Sequence, residues 1–277
     1  MALKLMYITN RSEIAQIAET AGVDRIFIDL EYIGKADRQG GMDTVQSHHT
    51  LDDVKKISES VKTAEVLVRV NPIHDANDQY TSSEEEIFTA IKNGANIVML
   101  PFFKTLGEVK RFIDAVDGKA KTMLLLETPE AVEIIDDVLL LEGIDYIHIG
   151  LNDLSLGYGM KFMFQLLTDG TVERLCKKFS DKGIAYGFGG IAALGKGSVP
   201  AEMIIKEHYR LGSTCAILSR SFCNAEKVGD IGEIESIFMN GMREIREFEA
   251  ECSLDEACLA ENKKEIELIV GNIVKEV

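Results

Sequence analysis

Two acidic residues of this chain each follow a short run of mostly apolar residues. Glu127 comes directly after the leucines 124–126, and Asp153 comes shortly after the run 146–149. Such runs are typical of buried strands, and ligands of α/β proteins bind at the carboxyl ends of the strands. Two carboxylates at that edge predict a site for a hard divalent cation such as Mg²⁺ or Mn²⁺, which prefers oxygen ligands.

Asp153 has a second interpretation, because the residues 152–155 also resemble the start of a short helix. An aspartate at this point can serve as the N-cap that accepts hydrogen bonds from the first helical N–H groups. Both interpretations stay open for Asp153. Glu127 has no such alternative, since it ends an apolar strand, and Thr128 before Pro129 is the natural cap of the helix that follows.

Three further charged residues end the two apolar runs that come earlier in the chain. Asp29 and Glu31 alternate with Leu30, so both carboxylates are expected on one side of the strand. Arg69 interrupts the apolar run 66–70, and a buried guanidinium needs an anionic partner. That partner is either one of the two carboxylates or the carboxylate of a substrate bound bidentately.

The elements that must position these residues alternate between apolar, β-branched runs and longer amphipathic stretches. Eight strands are predicted at residues 3–8, 25–30, 66–70, 96–101, 122–127, 146–149, 185–188 and 215–218. Seven helices are predicted between them, at residues 12–21, 51–61, 83–93, 106–116, 129–140, 172–182 and 201–211. This order is typical of a (β/α)₈ TIM barrel in a single domain. A doubly wound open sheet is the alternative, but the number of strands and the length favour closure.

The last part of the chain exceeds the repeating unit. Residues 1–223 contain the eight strands, and residues 224–277 contain two long helical patterns at 231–252 and 254–277. One of these helices completes the eighth unit. The other is surplus, and its apolar positions need a surface to cover. We therefore expect it to pack on a neighbouring subunit of a homo-oligomer.

The composition excludes several classes of partner. The chain of 277 residues is 46% hydrophobic and has a net charge of −16. This charge argues against nucleic acid and against an anionic membrane surface, because binding phosphates needs positive potential. The longest apolar run, residues 97–103, is too short to span a bilayer, and the amino terminus lacks a secretory pattern. A cytoplasmic location is expected, with the scattered cysteines as free thiols.

Five motifs resemble those of the HpcH/HpaI aldolase and citrate lyase β-subunit superfamily of metal-dependent barrels, both in their order and in their spacing. They are residues 28–31 (IDLE), 68–71 (VRVN), 98–101 (VMLP), 126–131 (LETPEA) and 149–155 (IGLNDLS). Each motif is weakly specific alone, and the ordered set is strongly specific. After residue 157 the resemblance is confined to the alternation of strands and helices.

The resemblance implies that Glu127 and Asp153 hold a divalent metal, Mg²⁺ or Mn²⁺ or another divalent cation. It implies that Arg69 steadies the keto or enolate oxygen of a 2-oxo acid such as pyruvate. The backbone N–H groups around Leu151, Asn152 and Asp153 would hold the carboxylate of that substrate. The implied reaction is reversible carbon–carbon cleavage through a metal-bound enolate.

Tyr32 departs from the family pattern. Aldolases that this chain resembles carry a histidine directly after the Asp-x-Glu sequence, where it serves as a base, and acyl-CoA lyases carry an acid there. A tyrosine with a pKa of about 10 is a poor base at neutral pH. His48 and His49, in the long segment that follows, could fold back and replace it. Lys35 and Arg38 of that segment could instead contact a phosphate or carboxylate of the substrate.

Two alternative functions follow from this departure. One is an acyl-CoA lyase of the citrate lyase type, although no basic cluster is obviously placed for the phosphates of CoA. The other is a catalytically impaired relative that binds only a metal and a small acid. Of the other histidines, His148 is expected in the core and His208 on the surface.

Overall fold

The strands close into a barrel. A computed structural model of the protein describes residues 2–34, 48–252 and 256–276. Its strands pair in parallel in chain order, and β1 pairs with β8 to complete the cylinder. They are β1 (Lys4–Ile8), β2 (Arg25–Asp29), β3 (Glu65–Arg69), β4 (Ile97–Leu100), β5 (Lys121–Leu126), β6 (Tyr146–Ile149), β7 (Ala185–Ile191) and β8 (Cys215–Leu218). The expected (β/α)₈ TIM barrel is confirmed.

Helices follow the strands and cover the outside of the barrel. They are α1 (Ser12–Thr20), α2 (Leu51–Ser60), α3 (Ser83–Lys92), α4 (Leu106–Val116), α5 (Pro129–Glu133), α6 (Ile135–Val138), α7 (Leu151–Gly157), α8 (Gln165–Thr168), α9 (Thr171–Lys182), α10 (Ala201–Arg210), α11 (Ile231–Cys252) and α12 (Glu256–Glu276). The helix expected at 129–140 is two short helices, because the backbone of Ile134 leaves the helical conformation. Thr128 caps α5 as expected, by accepting a hydrogen bond from the N–H of Ala131.

The alternation of side chains along the strands separates the apolar residues into two clusters. The larger cluster lies between the strands and the helices, and the smaller one fills the barrel. The smaller cluster contains Phe27 of β2 and Leu67 of β3. Asp29 and Arg69 come two residues later on these strands, and they pair in register. Both side chains therefore continue the inward-facing series to the carboxyl end of the barrel.

The two C-terminal helices have different places. Helix α11 packs on α1 and holds the first strand, where the carboxylate of Glu249 accepts the Leu3 N–H at 2.8 Å. Helix α12 packs outside α10 of the same chain and buries Ile266 and Val270 there. Leu268 remains 67% exposed on its other side. The chain itself thus covers part of the apolar face of α12, and the homo-oligomer stays a prediction. No helix in the described ranges combines the length and the apolar character needed to cross a membrane.

His148 of β6 and His208 of α10 are both buried. His148 lies in the core as expected, where burial lowers its pKa to about 4 and its Nε2 lies 3.2 Å from the Gly189 carbonyl oxygen. The surface position expected for His208 is wrong. Its ring stacks on Phe188 with centroids 3.9 Å apart, and its Nδ1 lies 2.8 Å from Ser213 Oγ. Because α11 and α12 both pack on α10, this helix has more buried faces than an ordinary barrel helix.

Candidate active site

An ion-pair cluster occupies the carboxyl ends of β2 and β3. The guanidinium of Arg69 donates two hydrogen bonds to the carboxylate of Asp29, both at 2.8 Å. Its Nη1 lies 3.2 Å from a carboxylate oxygen of Glu31. Asp29 and Glu31 are 2% and 1% exposed. The partners of Arg69 are therefore these two carboxylates of the protein, in the planar, bidentate arrangement that fixes a guanidinium most firmly.

The charge of Arg69 also acts on Glu127. Burial lowers the pKa of Arg69, but the negative charges of Asp29, Glu31 and Glu127 raise it by more, so that the net shift is upward. The guanidinium is accordingly ionised at every ordinary pH. It is held in place by two carboxylates and lies close enough to Glu127 for a direct electrostatic interaction. The positive charge of Arg69 thus acts on one of the two predicted metal ligands.

Glu127 lies in a cavity of about 430 Å³ at the carboxyl ends of β4, β5 and β6. The cavity is lined by Phe102, Lys104, Glu127, Thr128, Pro129, Glu130, Asp153, Leu156 and Gly157. Both predicted metal ligands are among these residues. The structure therefore brings Glu127 and Asp153 to the same cavity, which has the size of small-molecule sites.

A strained residue holds the carboxylate of Glu127. The N–H of Phe102 donates to Glu127 Oε1 at 3.0 Å. Phe102 has a φ of 50°, in the left-handed region that a bulky side chain rarely adopts. Such strain is concentrated at functional sites, where surrounding contacts maintain it. Nothing in the sequence around Phe102 indicates this conformation, and its contribution to the site could not be predicted.

Asp153 is the third residue of α7 rather than its N-cap. Gly150 occupies the N-cap position, where no side chain accepts a hydrogen bond from the helix. The capping interpretation of Asp153 is therefore wrong, because the helix begins two residues earlier. Leu151 is buried and Asn152 is exposed, with its carbonyl oxygen accepting a hydrogen bond from Ser155 Oγ. Their predicted contact with a substrate carboxylate stays a prediction.

Tyr32 lines a second cavity, of about 210 Å³, next to the carboxyl ends of β2 and β3. Its side chain is 50% exposed, and its ring centroid lies 5.4 Å from that of Tyr80. Partial burial raises the pKa of Tyr32, and the charge of Glu86 raises it further. At neutral pH this hydroxyl is protonated. In this position Tyr32 can donate a hydrogen bond but cannot serve as the resting base.

His49 folds back to the end of β2, as the sequence allowed. Its Nδ1 accepts a hydrogen bond from the N–H of Asp29 at 3.0 Å. A ring nitrogen that accepts carries no proton, so the neutral ring of His49 holds its proton on Nε2. His48 is exposed. Lys35 and Arg38 lie outside the described residues, and their predicted contact with a substrate stays a prediction.

Comparison with known proteins assigns the chain to a family. The family model for HpcH/HpaI aldolase/citrate lyase matches residues 4–164, which is more than half of the 277 residues. This protein belongs to the HpcH/HpaI aldolase/citrate lyase family. The expected resemblance is confirmed, and a family of the aldolase and citrate lyase type supports a lyase activity. No curated protein sequence matches the chain.

Solved structures of two other family proteins are similar in fold. The HpcH/HpaI aldolase from Desulfitobacterium hafniense DCB-2 is 16% identical, with a TM-score of 0.61 over 89% of this chain and 93% of that one. An HpcH/HpaI aldolase/citrate lyase family protein from Burkholderia cenocepacia J2315 is 13% identical, with a TM-score of 0.59 over 84% and 95%. At these identities the similarity concerns the fold alone.

The HpcH/HpaI family implies a divalent metal, and the residues of the cavity fit one. Within residues 2–34, 48–252 and 256–276, no group of three histidines, cysteines or acids could hold a metal ion. Mg²⁺ and Mn²⁺ do not need such a group, because they retain waters and take one or two carboxylates together with oxygens of the substrate. Glu127 and Asp153 supply that pair of carboxylates. The two carboxylates therefore suit a cation whose remaining coordination positions are filled by water and by oxygens of the substrate.

Gly150 leaves the space that the carboxylate of Glu127 occupies in this HpcH/HpaI protein. A Cβ atom on Gly150 would lie 2.8 Å from Glu127 Cβ and 2.9 Å from Glu127 Oε2. Gly150 has a φ of −81°, which any residue adopts. Alanine can adopt this φ, but its Cβ atom would force Glu127 to shift from its own Cβ outward and would thereby displace the carboxylate.

We expect Gly150→Ala to weaken the binding of Mn²⁺ roughly 10- to 100-fold, the cost typical of disturbing the support of a metal ligand. Titration calorimetry with Mn²⁺ measures the affinity, and circular dichroism checks the fold. Gly107→Ala is the matched control, since a Cβ atom there would meet its nearest neighbour, Thr105 Oγ1, at 3.9 Å. Equal affinities of Gly150→Ala and the unmodified protein would contradict a role of Glu127 in binding the cation.

Proposed function

We propose that the protein is a divalent-metal-dependent carbon–carbon lyase that acts on a 2-oxo acid through an enolate. The observation that carries the proposal is the shared cavity of Glu127 and Asp153 at the carboxyl ends of β5 and β6. Arg69, which is ionised and interacts electrostatically with Glu127, adds the positive charge that such chemistry needs. The family membership supports the reaction class.

Aldol cleavage breaks the bond between the carbons α and β to the ketone of the 2-oxo acid, and the β carbon leaves as an aldehyde. The electron pair stays on the α carbon, and the ketone oxygen accepts it as negative charge. A divalent cation, when bound, supplies a Lewis acid for that oxygen. Arg69 would stabilise the same developing charge. Because Asp29 and Glu31 already hold the guanidinium, its orientation needs little change during the reaction. Charges that are fixed before the reaction starts are the most effective in stabilising a transition state.

Transfer of a proton to or from the enolate carbon needs a group that titrates near neutral pH. Tyr32 does not meet this requirement, since its pKa is raised. His49 contacts the end of β2, and imidazole is the side chain that most often transfers protons in enzymes. We therefore place His49 first among the groups that could take the role of the missing family histidine.

Deuterium exchange tests the proposal without knowledge of the acceptor aldehyde. We expect the protein with Mn²⁺ to exchange the methyl protons of pyruvate for deuterium in D₂O, as measured by proton NMR. The exchange should stop when EDTA removes the metal. Binding of pyruvate without any exchange would contradict the proposal and would favour the impaired relative. Thermal stabilisation by CoA esters but not by pyruvate would instead favour an acyl-CoA lyase.

A further inference from the structure

The last residue of β2 and the four residues after it are anchored through consecutive backbone N–H groups. In residues 29–33, each N–H group donates a hydrogen bond. The acceptors are His49 Nδ1, the Arg69 carbonyl oxygen, Asp29 Oδ1 and, for the last two N–H groups, Asn71 Oδ1. Buried backbone N–H groups are paired in nearly all proteins, and in these residues most of the acceptors are side-chain atoms rather than strand carbonyls. The position of Glu31, in the middle of this segment, is fixed as a result.

Asn71 holds the far end of this segment. The residue is 1% exposed, and its Oδ1 accepts the N–H groups of Tyr32 and Ile33, both at 3.0 Å. Its Nδ2 donates to Glu86 Oε1 at 2.7 Å, and its backbone N–H donates to Glu86 Oε2 at 3.2 Å. An amide has donors on one side and an acceptor on the other. Glu86 therefore fixes the amide so that its oxygen points to Tyr32 and Ile33.

Glu86 is a buried acid in the first turn of α3, with 6% exposure. Burial raises its pKa, and the two hydrogen bonds from Asn71 oppose that shift. Removing a carboxylate from water carries a free-energy cost that an apolar side chain of similar volume would avoid. Packing alone therefore does not account for Glu86. Its hydrogen bonds to Asn71 do, since each of its two carboxylate oxygens accepts one N–H group of that residue.

Glu31 connects this arrangement to the proposed chemistry. Its carboxylate lies 3.2 Å from Arg69 Nη1, and the next N–H group in the chain belongs to Tyr32, which Asn71 holds. We propose that Glu86 and Asn71 are positioning residues: they fix the backbone after Glu31, and thereby the side of Arg69 that Glu31 contacts. This inference rests on the proposed function, in which the orientation of Arg69 determines how well the enolate oxygen is stabilised.

The polarity of the Asn71–Glu86 pair provides the test. Glu86→Gln places an amide N–H group against the donors of Asn71, so that a hydrogen bond is lost or the Asn71 amide turns over. Asn71→Asp alone places two carboxylates in contact. The double variant N71D/E86Q moves the negative charge to position 71, where it can accept the N–H groups of Tyr32, Ile33 and the new amide. The hydrogen bonds are then complementary again.

We expect each single variant to lower kcat for the Mn²⁺-dependent exchange of pyruvate protons at least about tenfold, because a displaced charge stabilises the transition state less. KM should change by less than about threefold, since the cation site itself is intact. The double variant should recover to within about threefold of the unmodified protein, as for directly coupled residues. Glu85→Gln, at an exposed position of the same helix, is the charge-matched control.

Amide hydrogen exchange of the peptide that contains residues 29–33, followed by mass spectrometry, gives a readout that needs no activity. Both single variants should exchange faster there, and the double variant should regain protection. An active unmodified protein with a fully active Glu86→Gln would overturn the inference, and so would a double variant no better than the worse single one. Absence of activity in the unmodified protein contradicts the proposed function instead. In that case the amide hydrogen exchange of the peptide that contains residues 29–33 decides whether Glu86 and Asn71 position this segment.

Discussion

Replacement of Glu127 by glutamine is expected to lower the Mn²⁺-dependent exchange of pyruvate protons by about 10³-fold or more, the upper range for losing one electrostatic contact in a transition state. The amide has the size of the carboxylate, and its oxygen can still accept the Phe102 N–H that now bonds to Glu127 Oε1 at 3.0 Å. The fold should therefore persist. The negative charge that a divalent cation requires is lost, so the Mn²⁺ affinity should fall as well.

Two measurements separate this effect from a general loss of structure. Electron paramagnetic resonance counts free Mn²⁺ and so reports the affinity of Glu127→Gln without relying on activity. Glu133→Gln, at an exposed position of the nearby helix α5, removes the same charge outside the cavity and should leave exchange unchanged. A Glu127→Gln protein that binds Mn²⁺ and exchanges pyruvate normally would remove the basis of the proposed function.

Replacement of Arg69 by methionine is expected to lower the free energy of unfolding by about 3–5 kcal/mol, the cost typical of removing one partner of a buried ion pair. Asp29 and Glu31, at 2% and 1% exposure, would be left without their cation. Urea unfolding followed by circular dichroism measures the change. The exchange of pyruvate protons should be lost in the same variant, because the positive charge that Arg69 exerts on Glu127 is removed.

The destabilisation of Arg69→Met should depend on pH. A buried carboxylate that has lost its cation favours the protonated form, because burial disfavours the charge. The stability that such groups contribute is present at low pH and is lost as the pH rises through their folded pKa. The loss should therefore be smaller at pH 5 than at pH 8.

Arg111→Met provides the control for this experiment, since Arg111 pairs with Asp75 and Glu84 at the surface. An exposed pair of this kind contributes about 0–1 kcal/mol. Its removal should change stability little between pH 5 and pH 8. Equal losses for Arg69→Met at both pH values would show that its carboxylates are not left buried.

The architecture and the inward-facing charges could be predicted because they depend on local patterns. Parallel strands are buried on both sides, so they appear in the sequence as short apolar runs separated by helices. The alternation of side chains then assigns Asp29, Arg69 and Glu127 to the barrel mouth. These positions follow from the residues next to them in the chain, and the structure agrees with each of them.

Contacts between separate segments could not be predicted in this way. The bond from the Asp29 N–H to His49 joins two ends of a long segment. Glu86 lies in the first turn of a helix, where an acid ordinarily interacts with the helix dipole. Because that role explains an acid at this position, the sequence does not indicate its contact with Asn71. Periodicity carries no information about such pairs. The second cavity beside Tyr32 could not be predicted for the same reason.

The left-handed backbone of Phe102 lowers the stability of the fold, and it places the N–H group that holds the carboxylate of Glu127. Such a conformation costs an ordinary residue about 1–2 kcal/mol, which glycine would not incur. Selection for thermal stability alone would therefore favour glycine at this position. The greater backbone freedom of glycine would fix the N–H group that bonds to Glu127 less firmly. A large side chain at position 102 in thermophilic homologues would indicate selection for ligand binding in the cavity over stability of the fold.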